Sequence, residues 1–354
     1  MALTLPITSI VNDARKYGQL PLSLLDRQFA AVATNRMDFA VNPRLTLWMR
    51  DPRDLAAAVG LRRGSPAGWR INGTGTTISA ARIAATIDQF SAFVKDNQPF
   101  HAQHVVSSAA AAANFARVEQ CISPVKTYSN RTLTISLIAW ATAASKRLAV
   151  SVSQEFGTGG APSAAVNTAS INPFVTLTTS PAIYSFVVNV PSVTGKTFGT
   201  DAGSSFMVVR IWLDAGADHD AQTGTMGQQS GTINIARLKI EEGDVFSEFL
   251  PGNLELDHWQ TDQYETLTFT QAVAAVGASG FGQMAFRRPM LTDPTAVFTA
   301  FTGGTGATFA TRPLASTLPP GLDDTDDTPS FAGFRQNANH GSDQGACIVW
   351  ATNY

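Results

Sequence analysis

The sequence predicts a mainly β protein: a short N-terminal helical segment, then a jelly-roll β-sandwich, then a smaller C-terminal β-sandwich-like domain. Three observations predict it. Beyond about residue 38, apolar and polar residues alternate with period two, the pattern of antiparallel strands with one face in the core. The alternating runs are short and broken by turn residues, with 28 Gly and 18 Pro in 354 positions. Helical spacing is nearly confined to the first 36 residues, and many short strands with Gly/Pro turns argue a jelly roll.

Residues 1–37 form the first unit. Leu22, Leu25, Phe29 and Val32 follow 3-4-3 spacing and so share one helix stripe,. Ser23 and Asp26 make a capping box that starts the helix,. The stripe suits either packing on its own chain or association between subunits, and it is the candidate oligomerisation surface.

Residues 38–250 carry the jelly-roll strands. Leu133, Ile135 and Leu137 alternate with Thr and Ser; Leu148, Val150 and Val152 alternate with Ala149, Ser151 and Ser153; Met207, Val209, Ile211 and Leu213 share one face of 206–214. In 232–240 the apolar positions switch phase, from Ile233 and Ile235 to Leu238 and Ile240. A one-residue slip turns every side chain over, so the switch predicts a β-bulge near Ala236. Ala109–Ala113 reads as a helix or a small-residue strand. The segment PGNLELDHWQTD, 251–262, reads as a linker. Alternation resumes at Glu265–Phe269, Ala296–Phe301 and Ala346–Trp350, giving a second β domain over 263–354,.

Charged residues make up 15% of the chain and the net charge is −2, against about 25% charged in an ordinary soluble protein. A polar but uncharged skin follows, which argues against nucleic acid and anionic membrane as partners. No stretch approaches the roughly 18 apolar residues of a membrane helix, so membrane insertion is not expected. The first residues lack the basic and apolar regions of a secretory signal, so synthesis in the cytoplasm is expected. Cys121 and Cys347 form neither a disulfide framework nor a zinc motif,.

Chemistry-bearing patterns are few. His101 and His104 read as solvated loop or strand residues, and no zinc-binding or nucleophile-elbow motif occurs,. No catalytic residue and no cofactor is assigned. Asp214, Asp218 and Asp220 make a short acidic set that a calcium ion would suit better than a substrate,. In 206–214, Arg210 and Trp212 sit opposite the buried apolar face. A solvent-facing Trp beside an Arg is a sugar-stacking surface; a loop or neighbouring subunit covering Trp212 is the alternative. Gln154 with Arg210 and Trp212 completes the candidate glycan-binding set. Trp48, Trp69 and Trp140 read as core.

Several segments, in order, resemble fibre and minor structural proteins of tailed bacteriophages and phage-like particles, which carry a carbohydrate-binding-like jelly roll. Leu20–Asp26 with Phe29 resembles the short opening helix, and Asn42 with Trp48-Met49-Arg50 the module's first strand. Ser136 with Trp140-Ala141 resembles an inner strand, although the spacing departs from the family form. Gln154-Glu155-Phe156-Gly157-Thr158-Gly159-Gly160-Ala161-Pro162-Ser163 is the most specific match, to a glycine-rich loop. Leu238, Glu241-Glu242-Gly243 and Glu248-Phe249 resemble the closing strand; Phe286–Met290 and Asp293-Pro294-Thr295 resemble the start of a small C-terminal domain. The junction His258-Trp259-Gln260 to Tyr264 departs from the family's Cys-Gln-Arg-Tyr patch.

The resemblance implies a homotrimeric fibre or spike on the virion surface of a tail or head. It would join other virion proteins through its N-terminus and attach to a host cell-surface polysaccharide. Assembly in the host cytoplasm would explain the missing export signal. An architectural baseplate or head-decoration part without ligand is the alternative, and a glycan depolymerase the second. The helical stripe makes a direct prediction: deleting residues 1–36 converts a trimer to a monomer in analytical ultracentrifugation. A full-length chain that already sediments as a monomer overturns it.

Overall fold

Nine antiparallel strands form one continuous hydrogen-bonded path that bends into two facing layers, and a tenth pairs beside it. In the computed structural model, the described residues are 38, 40–48, 54–63, 66–96, 98–201, 203–249, 251–252, 257 and 261, with backbone strands at 265–273, 280–285, 295–302, 309–311, 331–336 and 344–352. The strands are β1 (Leu55–Arg63), β2 (Arg70–Ala84), β3 (Phe100–Ser107), β4 (Phe115–Ile122), β5 (Arg131–Ala141), β6 (Arg147–Glu155), β7 (Val166–Thr176), β8 (Ala182–Val190), β9 (Phe206–Ala215) and β10 (Gly231–Glu242). A single four-residue helix, α1 (Asp220–Thr223), is described among them. The order is β7-β6-β9-β4-β2-β3-β10-β5-β8, with β1 on β2. β2 spans the corner: its first half pairs with β4 and its second half with β3. This is the expected mainly β sandwich of jelly-roll type.

The alternation places the core. Leu133, Ile135 and Leu137 of β5, Leu148, Val150 and Val152 of β6, and Met207, Val209, Ile211 and Leu213 of β9 all join one buried cluster. The phase switch in β10 is a bulge, as read from the sequence. Pairing with β5 runs Ile235 to Ala139 and then Arg237 to Ile138, leaving Ala236 as the extra residue. Ile233, Ile235, Leu238 and Ile240 therefore all reach the same core, and Ala236 turns to a second cluster with Phe90, Trp140 and Phe249,.

Four expectations are corrected. Ala109–Ala113 is neither helix nor strand but a turn between β3 and β4; the Ala112 carbonyl accepts the Asp218 N–H and so latches the loop after β9. Asn42 and Trp48 lie in a turn ahead of β1, not in a strand. There the Asn42 side chain, fully buried, donates to the carbonyls of Leu47 and Ala67 and accepts from Thr46 and Leu47. The histidines are buried on β3. His101 packs against Trp140 and His104 lies across from core residue Ile233, so they fall on opposite faces, and burial holds both near 4,. Finally, the second faces of β5, β6, β9 and β10 are covered as well as the first.

Within 251–262, Asp257 is buried against Arg44 at 2.8 Å, and the Gly252 N–H donates to Asp96. Arg237 pairs with that same Asp96 at 2.6 Å. Asp257 is thus held by an ion pair and Gly252 by a hydrogen bond, and Asp96 carries the second link to Arg237 on β10. In 263–354, β11 (Glu265–Val273), β13 (Thr295–Thr302) and β16 (Gln344–Thr352) form one sheet, at the three places where alternation resumes. β12 (Gly280–Ala285), β14 (Phe309–Thr311) and β15 (Phe331–Gln336) form another. Leu22, Leu25, Phe29 and Val32 lie outside the described residues.

The glycine-rich loop after β6 has a structural reason. It zips against 197–204: Gly199 N–H donates to Phe156, Thr200 N–H to Gly159, and Asp201 N–H to Thr158. A Cβ on Gly199 would lie 2.1 Å from the Thr158 carbonyl oxygen, so backbone itself forbids one. Gly195 has φ +77° but open space around it. Gly199→Ala is therefore expected to destabilise by about 2–4 kcal/mol through overpacking, and Gly195→Ala by only about 1 kcal/mol through left-handed strain. Guanidinium denaturation of the two variants checks the order.

Candidate functional site

The second face of the β1-β2-β4-β9-β6-β7 layer brings together a cluster of charged, polar and aromatic side chains. Register fixes which ones meet. Arg210 lies across from Glu119 on β4 and Ser151 on β6; Trp212 lies across from Arg117 and Ala149. Arg70 on β2 is also across from Glu119, and Phe206 is across from Glu155. Ser153 faces Asn167 on the edge strand β7. All belong to the phase opposite the core, so this set follows from strand alternation and pairing together.

Trp212 does not face solvent. It is fully buried, donates its indole N–H to Ser151 at 2.8 Å, and packs with Ala149, Ala215 and Met226. The Arg117 guanidinium lies 4.7 Å from its ring and the His219 ring 5.1 Å away. The loop 216–229 supplies the cover, held by Arg147 donating to the Met226 carbonyl. Gln154 points the other way. It shares the phase of core residue Met207, is 1% exposed, and donates to the Pro191 carbonyl at 2.9 Å. Of the three residues read as a glycan-binding set, the structure leaves only Arg210 on a partly open surface.

Arg210 spreads its guanidinium over four acceptors: Asn167 at 2.6 Å, Gln222 at 3.3 Å, Glu155 at 3.1 Å, and Glu119 at an ion-pair distance of 3.7 Å. Arg70 reaches Glu119 at 2.6 Å and Arg117 binds the same carboxylate. Burial alone would raise the Glu119 carboxyl, but Arg70, Arg117 and Arg210 outweigh it and hold it below the usual carboxylate range,. Arg117 is brought down to about 10, by burial first and by Arg210 and Arg70 in addition. Cys121, on the same face of β4, is a buried free thiol pushed up to about 12 by burial, far from the range of a nucleophile.

Toward the open end the face changes character. Glu155 and Phe206 are half-buried, Asn167 is exposed, and Arg70 lies 5.8 Å from the Phe206 ring. Phe206 was missed in the sequence although it shares the phase of Arg210 and Trp212. The signal was its place at the start of β9, in phase with Arg210 and Trp212.

Asp214 is buried and its carboxylate accepts from Thr76, Ser108 and Gln229, while Asp218 is exposed. Asp214 is thus already satisfied by protein donors. Among the described residues, no three His, Cys, Asp or Glu side chains converge as a metal site.

No protein-family model matches the chain, and no curated protein matches it in sequence. Solved structures do. The enzymatically active domain of tailspike protein 4 from bacteriophage CBA120 aligns with 50% of this chain at 13% identity and TM-score 0.27. This chain spans 19% of that one. The family 11 carbohydrate-binding module from Clostridium thermocellum, solved with a β-1,3-1,4-linked tetrasaccharide, aligns over 55% of this chain and 99% of its own, at 8% identity and TM-score 0.30. The N-terminal cellulose-binding domain of Cellulomonas fimi β-1,4-glucanase C aligns over 51% and 91%, at 12% identity and TM-score 0.28. All three likenesses are distant.

The buried indole makes a clean prediction. Trp212→Ala is expected to lower stability by about 3–5 kcal/mol, as for other buried large-to-small changes. In thermal and urea unfolding, a variant as stable as the parent overturns the covered position.

Proposed function

We propose that this chain binds a glycan on the open end of the β6-β7-β9-β2 face, as the attachment module of a virion fibre or spike. One observation carries the reading. Phe206, half-buried, has Arg70 at 5.8 Å from its ring and Glu155 across from it, and Glu155 pairs in turn with Arg210, which donates to Asn167. Sugars are held by stacking of their C–H faces on an aromatic ring and by hydrogen bonds to planar amide, carboxylate and guanidinium groups. These side chains are tied to neighbouring strands, so little ordering entropy opposes binding.

The virion placement rests on the resemblance of the ordered segments to phage fibre proteins. A homotrimer and contacts to other virion proteins follow from that same resemblance. Binding rather than cleavage is the reading for this face: a general acid needs a raised pKa, and the Glu119 carboxyl at its centre is held low by its arginines.

Phe206→Ala is expected to weaken binding of the full-length chain to bacterial surface polysaccharide about tenfold, with an unchanged circular dichroism spectrum and melting temperature. Affinity electrophoresis against extracted polysaccharide measures it. Unchanged retardation places the sugar elsewhere, and release of reducing ends in the same mixture would make the chain a depolymerase.

A further inference from the structure

The charge on this face is unbalanced. Three guanidiniums, Arg70, Arg117 and Arg210, stand over two carboxylates, Glu119 and Glu155. The surplus is not smeared over solvent, because the Arg70, Arg117 and Arg210 side chains are only 11–14% exposed. In such a setting charge acts strongly on an incoming group.

Geometry sharpens the point. Glu119 is enclosed, and its carboxylate is shared by all three guanidiniums. Glu155 is 29% exposed and shared between Arg210 and the Ser153 hydroxyl. Arg210 Nε is buried and makes no hydrogen bond, its contact with Glu119 being an ion pair at 3.7 Å. An oxyanion arriving between Arg210 and Arg70 beside Phe206 would neutralise the surplus and accept the charge-assisted hydrogen bonds that guanidinium offers.

We propose that the ligand is an acidic glycan, recognised through an oxyanion on the sugar by Arg70 and Arg210 while the ring rests on Phe206. This deepens the glycan reading and depends on it. A neutral glucan gains only the stacking and hydroxyl contacts, so acidic chains are selected over neutral ones of the same length. A carboxylate on a hexuronate and a phosphate on a sugar share this chemistry.

The test uses the full-length chain with polygalacturonate, a phosphomannan and dextran, by affinity electrophoresis and calorimetry at 50 and 500 mM NaCl. Binding to at least one acidic polymer is expected at tenfold or more above dextran, weakening severalfold at high salt. The polymer preferred separates carboxylate from phosphate. Arg210→Gln is expected to lose about tenfold on the acidic polymer and little on dextran, with Arg210→Lys restoring part of it. If Arg210→Gln fails to fold, the salt dependence and the acidic-to-neutral ratio of the parent still decide. Equal, salt-insensitive binding to dextran and the acidic polymers overturns the acidic class and leaves glycan binding standing. No binding to any polymer of the panel or to extracted surface polysaccharide overturns both.

Discussion

A carboxylate with no access to water sits at the centre of one sheet, and the architecture of that whole face depends on satisfying it. Glu119 is fully buried on β4. Taking an ion out of water costs several kcal/mol, which its partners must offset. Arg70, Arg117 and Arg210 do so from three strands, β2, β4 and β9. Each arginine is placed by strand register, so β2, β4 and β9 cannot slip by one residue without leaving the charge unpaired. The core on the other side is set by the same register, and the two constraints agree.

That agreement explains which parts of the chain were legible in the sequence. Period-two alternation marks a core face unambiguously, so β5, β6, β9 and the bulge at Ala236 could be read residue by residue. The opposite face was read as solvent because its residues are Ser, Ala, Arg and Glu. It is instead closed by groups from elsewhere: Trp212 by 216–229, and Trp140 by Phe90 and Phe249. Such cover is a long-range tertiary contact with no local periodic trace. Ala109–Ala113 failed for a related reason: its role is to offer carbonyls to the loop after β9, which alanine composition does not signal.

Two of the segments that resemble phage fibre proteins prove to be structural devices. In the glycine-rich stretch from Phe156 to Gly160, backbone pairs directly with 197–201, and at Gly199 a Cβ has no room. Around Glu241 to Phe249, a buried carboxylate accepts the Ser247 N–H at 2.8 Å and pairs with Lys239 at 3.3 Å. Phe249 then packs on the second face. A resemblance carried by such devices speaks for how the sandwich closes its loops.

The low overall charge acquires its meaning on the face around Glu119. A chain with 15% charged residues would show a bland surface if the charges were spread evenly. Instead three arginines and two glutamates converge on β2, β4, β6 and β9. An even skin of Ser, Thr, Gly and Asn carries little long-range field to compete with such a patch. If the ligand is the acidic glycan proposed above, specificity arises by contrast: sparse charge elsewhere limits unselective attraction, and the clustered guanidiniums favour a partner that brings its own negative charge to Phe206.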